Sequence, residues 1–346
     1  MRKAMASSRT LFLQALLALC ALTMTTCHDD IQDTRKTLGD TATTRIIVSE
    51  HSLDEPMNFM RGLILKKLMQ QRPGIDPAFV QAGGNTATQA EQLRHLLDLR
   101  PAVLILFPEE MEPLAGLLST ALLSGTKVIV IGKKVDPQLC TTCIFADDKK
   151  IGALAGEYVI EALKKKSVTE GLSLTSGRVV QLTGKMQSHA ARERSAGFVD
   201  SIKKEPGVVL VHDAPGDWDA ATTKLRLAEA LRIQKNFDVV FTHSDIMARA
   251  VHQVLMEKDP AQREHILVLG VDGQPGKNGG MQMITNGEVD ATIFNPPLVD
   301  LAWNIIQKML DDPAYKPKPA YELESFMVTS EKVFELSRKQ VPTPEP

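Results

Sequence analysis

From Arg45 onward the chain alternates short, unbroken apolar runs with amphipathic segments of helical length, and this alternation leaves few architectures open. The first runs are Ile46-Ile47-Val48, Phe79-Val80, Val103-Leu104-Ile105-Leu106 and Val128-Ile129-Val130-Ile131. Runs of this kind read as strands buried on both faces, the pattern of a parallel sheet covered by helices. The segments between them, 57–71 with Phe59, Leu63 and Leu68, 86–99 with Leu93, Leu96 and Leu97, and 112–123, carry helical spacing. The result is a βαβ series with right-handed crossovers.

A second series follows. It predicts a helix near 150–165, a strand over 178–182, a helix over 188–203, a strand over 208–211, a helix over 220–233, a strand over 239–241 and a helix over 245–257. A strand over 266–269, a short helix after Gly276, a strand over 291–293 and an amphipathic helix after Pro297 complete it, before a hydrophobic stretch from Tyr321 to Val328. With 346 residues, 43% of them hydrophobic, the chain exceeds what one core normally supports, so two doubly wound α/β lobes are expected. Ligands of such sheets lie at the carboxyl ends of the strands, which puts the site in the cleft between the lobes.

The N-terminus has the build of a signal peptide over residues 1–26: Arg2, Lys3 and Arg9 precede the apolar run LFLQALLALCALTM. Removing it takes three basic and no acidic residues and moves the formal charge from −2 to −5, which does not suit a nucleic-acid binder. Cys27 after Met24-Thr25-Thr26 resembles a bacterial lipobox, although that motif usually has Leu and a small residue where Met24 and Thr26 stand. Lipidation of Cys27 is the reading preferred over simple cleavage, with residues 27–44 as a polar tether. The chain is therefore expected in the periplasm or cell envelope.

Five motifs stand in order. Ala190-Ala191-Arg192-Glu193-Arg194-Ser195-Ala196-Gly197-Phe198 opens a helix after Gly184, and Gly216-Asp217-Trp218-Asp219 precedes the next. Thr242-His243-Ser244-Asp245, Leu269-Gly270-Val271-Asp272-Gly273 and Asp290-Ala291-Thr292-Ile293-Phe294-Asn295 each end a strand. In these the chain resembles the ribose and galactose type I periplasmic binding proteins over nearly all of residues 45–330. The resemblance implies three crossovers, near Asp147, Asn295 and Glu322. The first lobe would comprise 45–147 plus 296–322 and the second 148–295 plus 323–334, leaving 335–346 as a disordered tail.

The resemblance also implies a ligand set. Arg192 would fork onto two hydroxyl oxygens, Asp272 would accept from a pair of hydroxyls and Trp218 would stack on the apolar face of a sugar. Ser244 and Asn295 are further hydrogen-bonding candidates. Arg194 suits a salt bridge better, Asp245 an N-terminal helix cap and His243 a packing role. The first lobe departs from the family. Leu53-Asp54-Glu55-Pro56-Met57 stands where an Asn and paired aromatics are usual, and Gly132-Lys133 replaces an Asp-Arg pair. Lys133 remains a candidate ligand contact, and Glu55 is either that or a solvated charge.

Cys140-Thr141-Thr142-Cys143 lies in a loop or edge segment between strands. A redox motif would need a helix starting at Cys140, which Pro137 and the β-branched neighbours disfavour, and zinc would need two more ligands. A short disulfide is expected in an oxidising compartment, free thiols being the alternative. The chain has no P-loop, no HExxH and no Gly-x-Ser-x-Gly elbow, so neither an enzyme nor a cofactor is indicated. The resemblance implies a clamp for a small polar ligand, a monosaccharide, that serves an ABC permease or, alternatively, a membrane sensor.

Overall fold

The computed structural model describes residues 43–338 apart from Lys235 and Asp259. The leader, most of the tether with Cys27, and Gln340 to Pro346 lie outside the described residues. The first sheet holds β1 (Thr44–Glu50), β2 (Ile75–Gln81), β3 (Val103–Phe107), β4 (Lys127–Ile131), β5 (Thr142–Phe145) and β11 (Ala320–Glu322), in the order β11-β5-β4-β3-β1-β2. The second holds β6 (Gly177–Thr183), β7 (Val208–Pro215), β8 (Val239–Thr242), β9 (Leu267–Asp272), β10 (Ala291–Phe294) and β12 (Phe326–Val328), in the order β12-β10-β9-β8-β6-β7. β12 runs antiparallel to β10, while β6 to β10 pair in parallel.

Two helices cover one face of the first sheet: α1 (Pro56–Gln70) and, later in the chain, a helix over Val299–Asp311; α2 (Thr86–Leu97) and α3 (Ala115–Leu123) cover the other. On the Val299–Asp311 helix, Val299, Ala302, Trp303, Ile305, Ile306 and Met309 are all buried at three- and four-residue spacing. Each of the larger ones contributes about 1.5–3 kcal/mol of transfer free energy. The second sheet is sandwiched between α4 (Asp148–Thr169) with α5 (His189–Ile202) and α6 (Ala220–Ile233) with α7 (Asp245–Lys258).

The chain passes between the sheets three times, after Phe145, after Phe294 and between Glu322 and Phe326. The stretch from Tyr321 to Val328 is thus two strands, one in each sheet, broken at Leu323 to Ser325.

Several expectations need correction. On α1 the sequence spacing favoured Phe59 and Leu63 as core residues, but they are 53% and 54% exposed. The buried stripe is Met57, Arg61, Leu65 and Met69, because Arg61 turns inward and donates from Nε to the Pro297 carbonyl at 3.0 Å and from Nη2 to that of Pro296 at 3.4 Å. Residues 335–338 belong to a helix over Ser330–Arg338, not to a disordered tail. The Cys140–Cys143 bridge is not formed. Both are free buried thiols, Cys143 lies inside β5, and the Cys140 Sγ faces the Asp136 carbonyl at 4.0 Å.

Helices α4 and α5 touch through glycines. A Cβ on Gly152 would fall 2.0 Å from the Arg194 carbonyl oxygen, and one on Gly197 2.0 Å from that of Lys149. This close approach holds the first turn of α4 beside the charged face of α5.

Candidate functional site

The carboxyl ends of both sheets face a cavity of about 300 Å³, at the lower end of the size range of small-molecule sites. The first lobe supplies the loop after β1 from His51 to Glu55, Arg61 on α1, Glu109 after β3 and Lys133 after β4. The second supplies Lys185, Gln187 to Ala190, Arg194 and Trp218, and Asp148 and Asn295 stand where the chain passes between the sheets.

Arg194, not Arg192, is the α5 arginine in the cavity. It is 4% exposed, donates from Nε to Asp148 Oδ1 at 2.8 Å and from Nη1 to the His243 carbonyl at 2.7 Å, and lies 5.5 Å from the centre of the Trp218 ring. Its Nη2 meets no hydrogen-bond partner among the described residues. Arg192, two residues earlier and so on another face of the helix, is turned outward to the carbonyls of Met186 and Gln187 and to the Glu109 carboxylate. Arg194 does make the salt bridge expected of it, but from inside the site.

Trp218 lines the cavity. The Gly216 and Asp217 N–H groups both donate to the Thr183 carbonyl, at 2.8 and 3.2 Å, while Asp217 and Trp218 take φ of 57° and 62°. This strained turn throws the indole across Gly184, where a Cβ would come within 2.1 Å of ring atoms. His243 accepts the Gly184 N–H through Nδ1 at 3.2 Å, so its Nε2 carries the proton. Burial holds its pKa well below the usual histidine value. The packing role expected of His243 is joined by a second one, since its carbonyl fixes Arg194.

Asp272, with φ of 111° and 7% exposure, is not among the lining residues. Its carboxylate meets no hydrogen-bond donor among the described residues and sits in the field of Arg61 and Arg194. Burial, and then the charge of Asp245, push its pKa well above the usual carboxylate range. Its carbonyl accepts from the Asn295 N–H at 3.0 Å and from Gln274 Nε2 at 2.8 Å, which fastens strand end β9 to strand end β10. Asn295 lines the cavity, and its carbonyl accepts from Gln274 Nε2 at 2.6 Å.

Ser244 lies outside the lining and is fully buried. It takes the capping role expected of Asp245, its Oγ accepting the Met247 N–H at 3.4 Å. Asp245 instead accepts from the Gly273 N–H at 2.8 Å and the Thr292 hydroxyl at 2.6 Å, and burial pushes its carboxyl up to about 7. The physical reason is register. Thr292 and Gly273 stand across the sheet from the helix start, so the carboxylate closes the sheet ends and leaves the shorter serine to the helix.

Lys133 lines the cavity and donates to the Glu109 carbonyl, with burial lowering its pKa. Glu55 occupies the N-cap position of α1 without capping it. It lines the cavity opposite Ser188 of the other lobe, and burial first, then Asp148 and Glu109, raise its pKa. Arg61, Asp148, Glu109 and His51 are site residues that the sequence analysis did not name. For Arg61 a signal existed, a charge at four-residue spacing inside the stripe Met57, Leu65, Met69. No cluster of three metal-ligating side chains occurs among the described residues.

Comparison with known proteins agrees with this geometry. Residues 66–311 match the family model of the periplasmic binding protein domain. The galactofuranose-binding protein of Escherichia coli is 24% identical over 51% of this chain, a match spanning about half (53%) of that protein. The ribose import binding protein of Bacillus subtilis is 22% identical over 70% of this chain and 72% of its own length. Among solved structures, the fructose-binding periplasmic domain of a hybrid two-component system superposes with a TM-score of 0.71 at 24% identity, covering 86% of this chain and 94% of that one. With a family match over most of its length and two mostly parallel sheets joined by three chain crossings, this chain belongs to the type I periplasmic binding protein family.

Proposed function

We propose that this chain is an exported solute-binding protein that closes its lobes around a monosaccharide and delivers it to an ABC permease. The observation that carries the reading is the chemistry gathered at one cavity: the free Nη2 of Arg194, the ammonium of Lys133, the amide of Asn295, the carboxyl of Glu55 and the indole of Trp218. Hydroxyl groups donate and accept at once, so a polyol answers this mixed set, and the C–H face of a sugar ring answers the indole. Residues 45–147 with 296–322 and residues 148–295 with 323–334 act as the jaws, with the three crossovers as the hinge. No bond-making step is assigned to any residue.

Delivery to a permease is supported by the similarity to an import binding protein. A second reading, presentation of a bound sugar to a membrane sensor kinase, is favoured by the fold of the two-component domain. Mass spectrometry of ligand released from purified protein, followed by calorimetry with D-ribose, D-galactose, L-arabinose and D-fructose, tests the first statement; no bound polyol and no heat with any sugar would refute it. Sugar uptake by cells lacking the gene separates permease from sensor. Export with Cys27 as a lipidated first residue rests on the leader, and globomycin sensitivity with a mass shift of the mature chain is its test.

A further inference from the structure

Glu109 reaches across the cleft. It follows β3 in the first lobe, and its Oε1 accepts the backbone N–H of His189 at 2.5 Å and faces Arg192 Nη2 at 3.4 Å, both in the second lobe. His189 is the first residue of α5, and its N–H has no acceptor within the helix. Ser188, the N-cap, already serves Ala191 at 3.2 Å, so the His189 donor is left for a group outside the helix. A carboxylate there gains a charge-assisted hydrogen bond and the favourable end of the helix dipole. Arg192 is held in position by the Met186 and Gln187 carbonyls, which explains why it stays out of the cavity.

One neighbouring contact runs the same way. Asp54 pairs with Lys185 at 2.5 Å. Two first-lobe carboxylates thus reach residues 185–192 of the second lobe. The Asp54 and Lys185 side chains are 57% and 42% exposed, and such pairs contribute little in water. The Glu109 side chain is 17% exposed and bonds to a fixed backbone donor, so it is the stronger of the two.

We infer that Glu109 is a cross-cleft latch, a positioning residue that stabilises the closed arrangement of the lobes by capping α5, whatever the cavity holds. A contact made only in the closed state shifts the open–closed equilibrium by its own free energy, and that share need not come from ligand. The ligand then binds more tightly and leaves more slowly. Removing the latch is expected to move the ligand-free equilibrium toward the open state roughly ten- to a hundredfold, the range of a charge-assisted bond.

The test uses the full chain without ligand, so it is independent of the sugar reading. Small-angle scattering and hydrogen exchange at the His189 amide are compared for the wild type, Glu109→Ala and Glu109→Gln, with circular dichroism confirming that each variant is folded. Glu109→Ala should enlarge the radius of gyration and speed His189 exchange about tenfold or more, whereas Glu109→Gln, which keeps an acceptor but no charge, should fall between. Raising salt should move the wild type in the same direction. If folded Glu109→Ala matches the wild type in both readouts, the latch does not exist. If Glu109→Ala fails to fold, Arg192→Ala and the salt series decide, and no shift in either overturns the inference.

Discussion

The guanidinium of Arg194 and the carboxylate of Asp148 meet at 2.8 Å across the contact of α5 with α4, both nearly out of solvent. Gly152 and Gly197 permit that approach, so a packing feature of two helices sets the orientation of a buried cation in the cavity. Breaking a buried pair costs far more than breaking a surface one. Arg194→Ala should therefore lose sugar binding and about 3–5 kcal/mol of stability, measured by calorimetry and urea unfolding. Arg192→Ala should retain direct ligand contacts and weaken binding only through lobe closure. A larger loss of affinity in Arg192→Ala than in Arg194→Ala would reverse the assignment.

Gly184 is the seat of the Trp218 ring. In Gly184→Ala the new methyl would meet indole atoms at 2.1 Å, so the ring must move and the cavity wall with it. Overpacking of this kind costs about 1–3 kcal/mol, and ligand affinity should fall as well. The chain has two tryptophans, and Trp303 is buried in the first lobe. Emission in a Trp303→Phe background therefore reports on Trp218 alone. An unchanged spectrum on Gly184→Ala would contradict the seat.

Glu50, at the end of β1, has its carboxyl pushed from 4.5 up to about 7 by burial, against the lowering effect of Arg61. The folded state thus holds the proton more tightly than the unfolded chain. Its contribution is fully present below about pH 4.5 and is lost as pH rises through 7. That contribution is on the order of 3 kcal/mol. Glu50→Gln should flatten this slope, so that the variant gains on the wild type between pH 5 and pH 8 in denaturant unfolding. A parallel pair of stability curves would refute it.

Arg61 ties α1 to the crossover through the Pro296 and Pro297 carbonyls. Replacing it with Met keeps the apolar stem and removes the donors, leaving the buried Pro296 carbonyl and the part-buried Pro297 carbonyl without this partner. About 2–4 kcal/mol of stability should be lost, with looser lobe positions in scattering. Arg61→Lys should recover only part, since an ammonium lacks the fork that reaches both oxygens.

The sequence by itself determined the α/β alternation and the two doubly wound units, because those signals are local, whereas the places where the chain changes sheet were implied by the family resemblance. Unbroken β-branched runs suit buried parallel strands, and a helix such as Val299–Asp311 shows its apolar stripe at three- and four-residue spacing. It also brought Trp218 and Asn295 into view through motif order. Tertiary structure alone decided which of two arginines two residues apart turns inward, since that depends on how α5 is rotated by the glycine contact with α4. It decided that Met57, Arg61, Leu65 and Met69, not Phe59 and Leu63, form the buried face of α1, because a guanidinium belongs in a core only when carbonyls from a distant crossover meet it. And it decided that Ser244 caps a helix while Asp245 closes the sheet, since the partners Thr292 and Gly273 arrive from strands far along the chain.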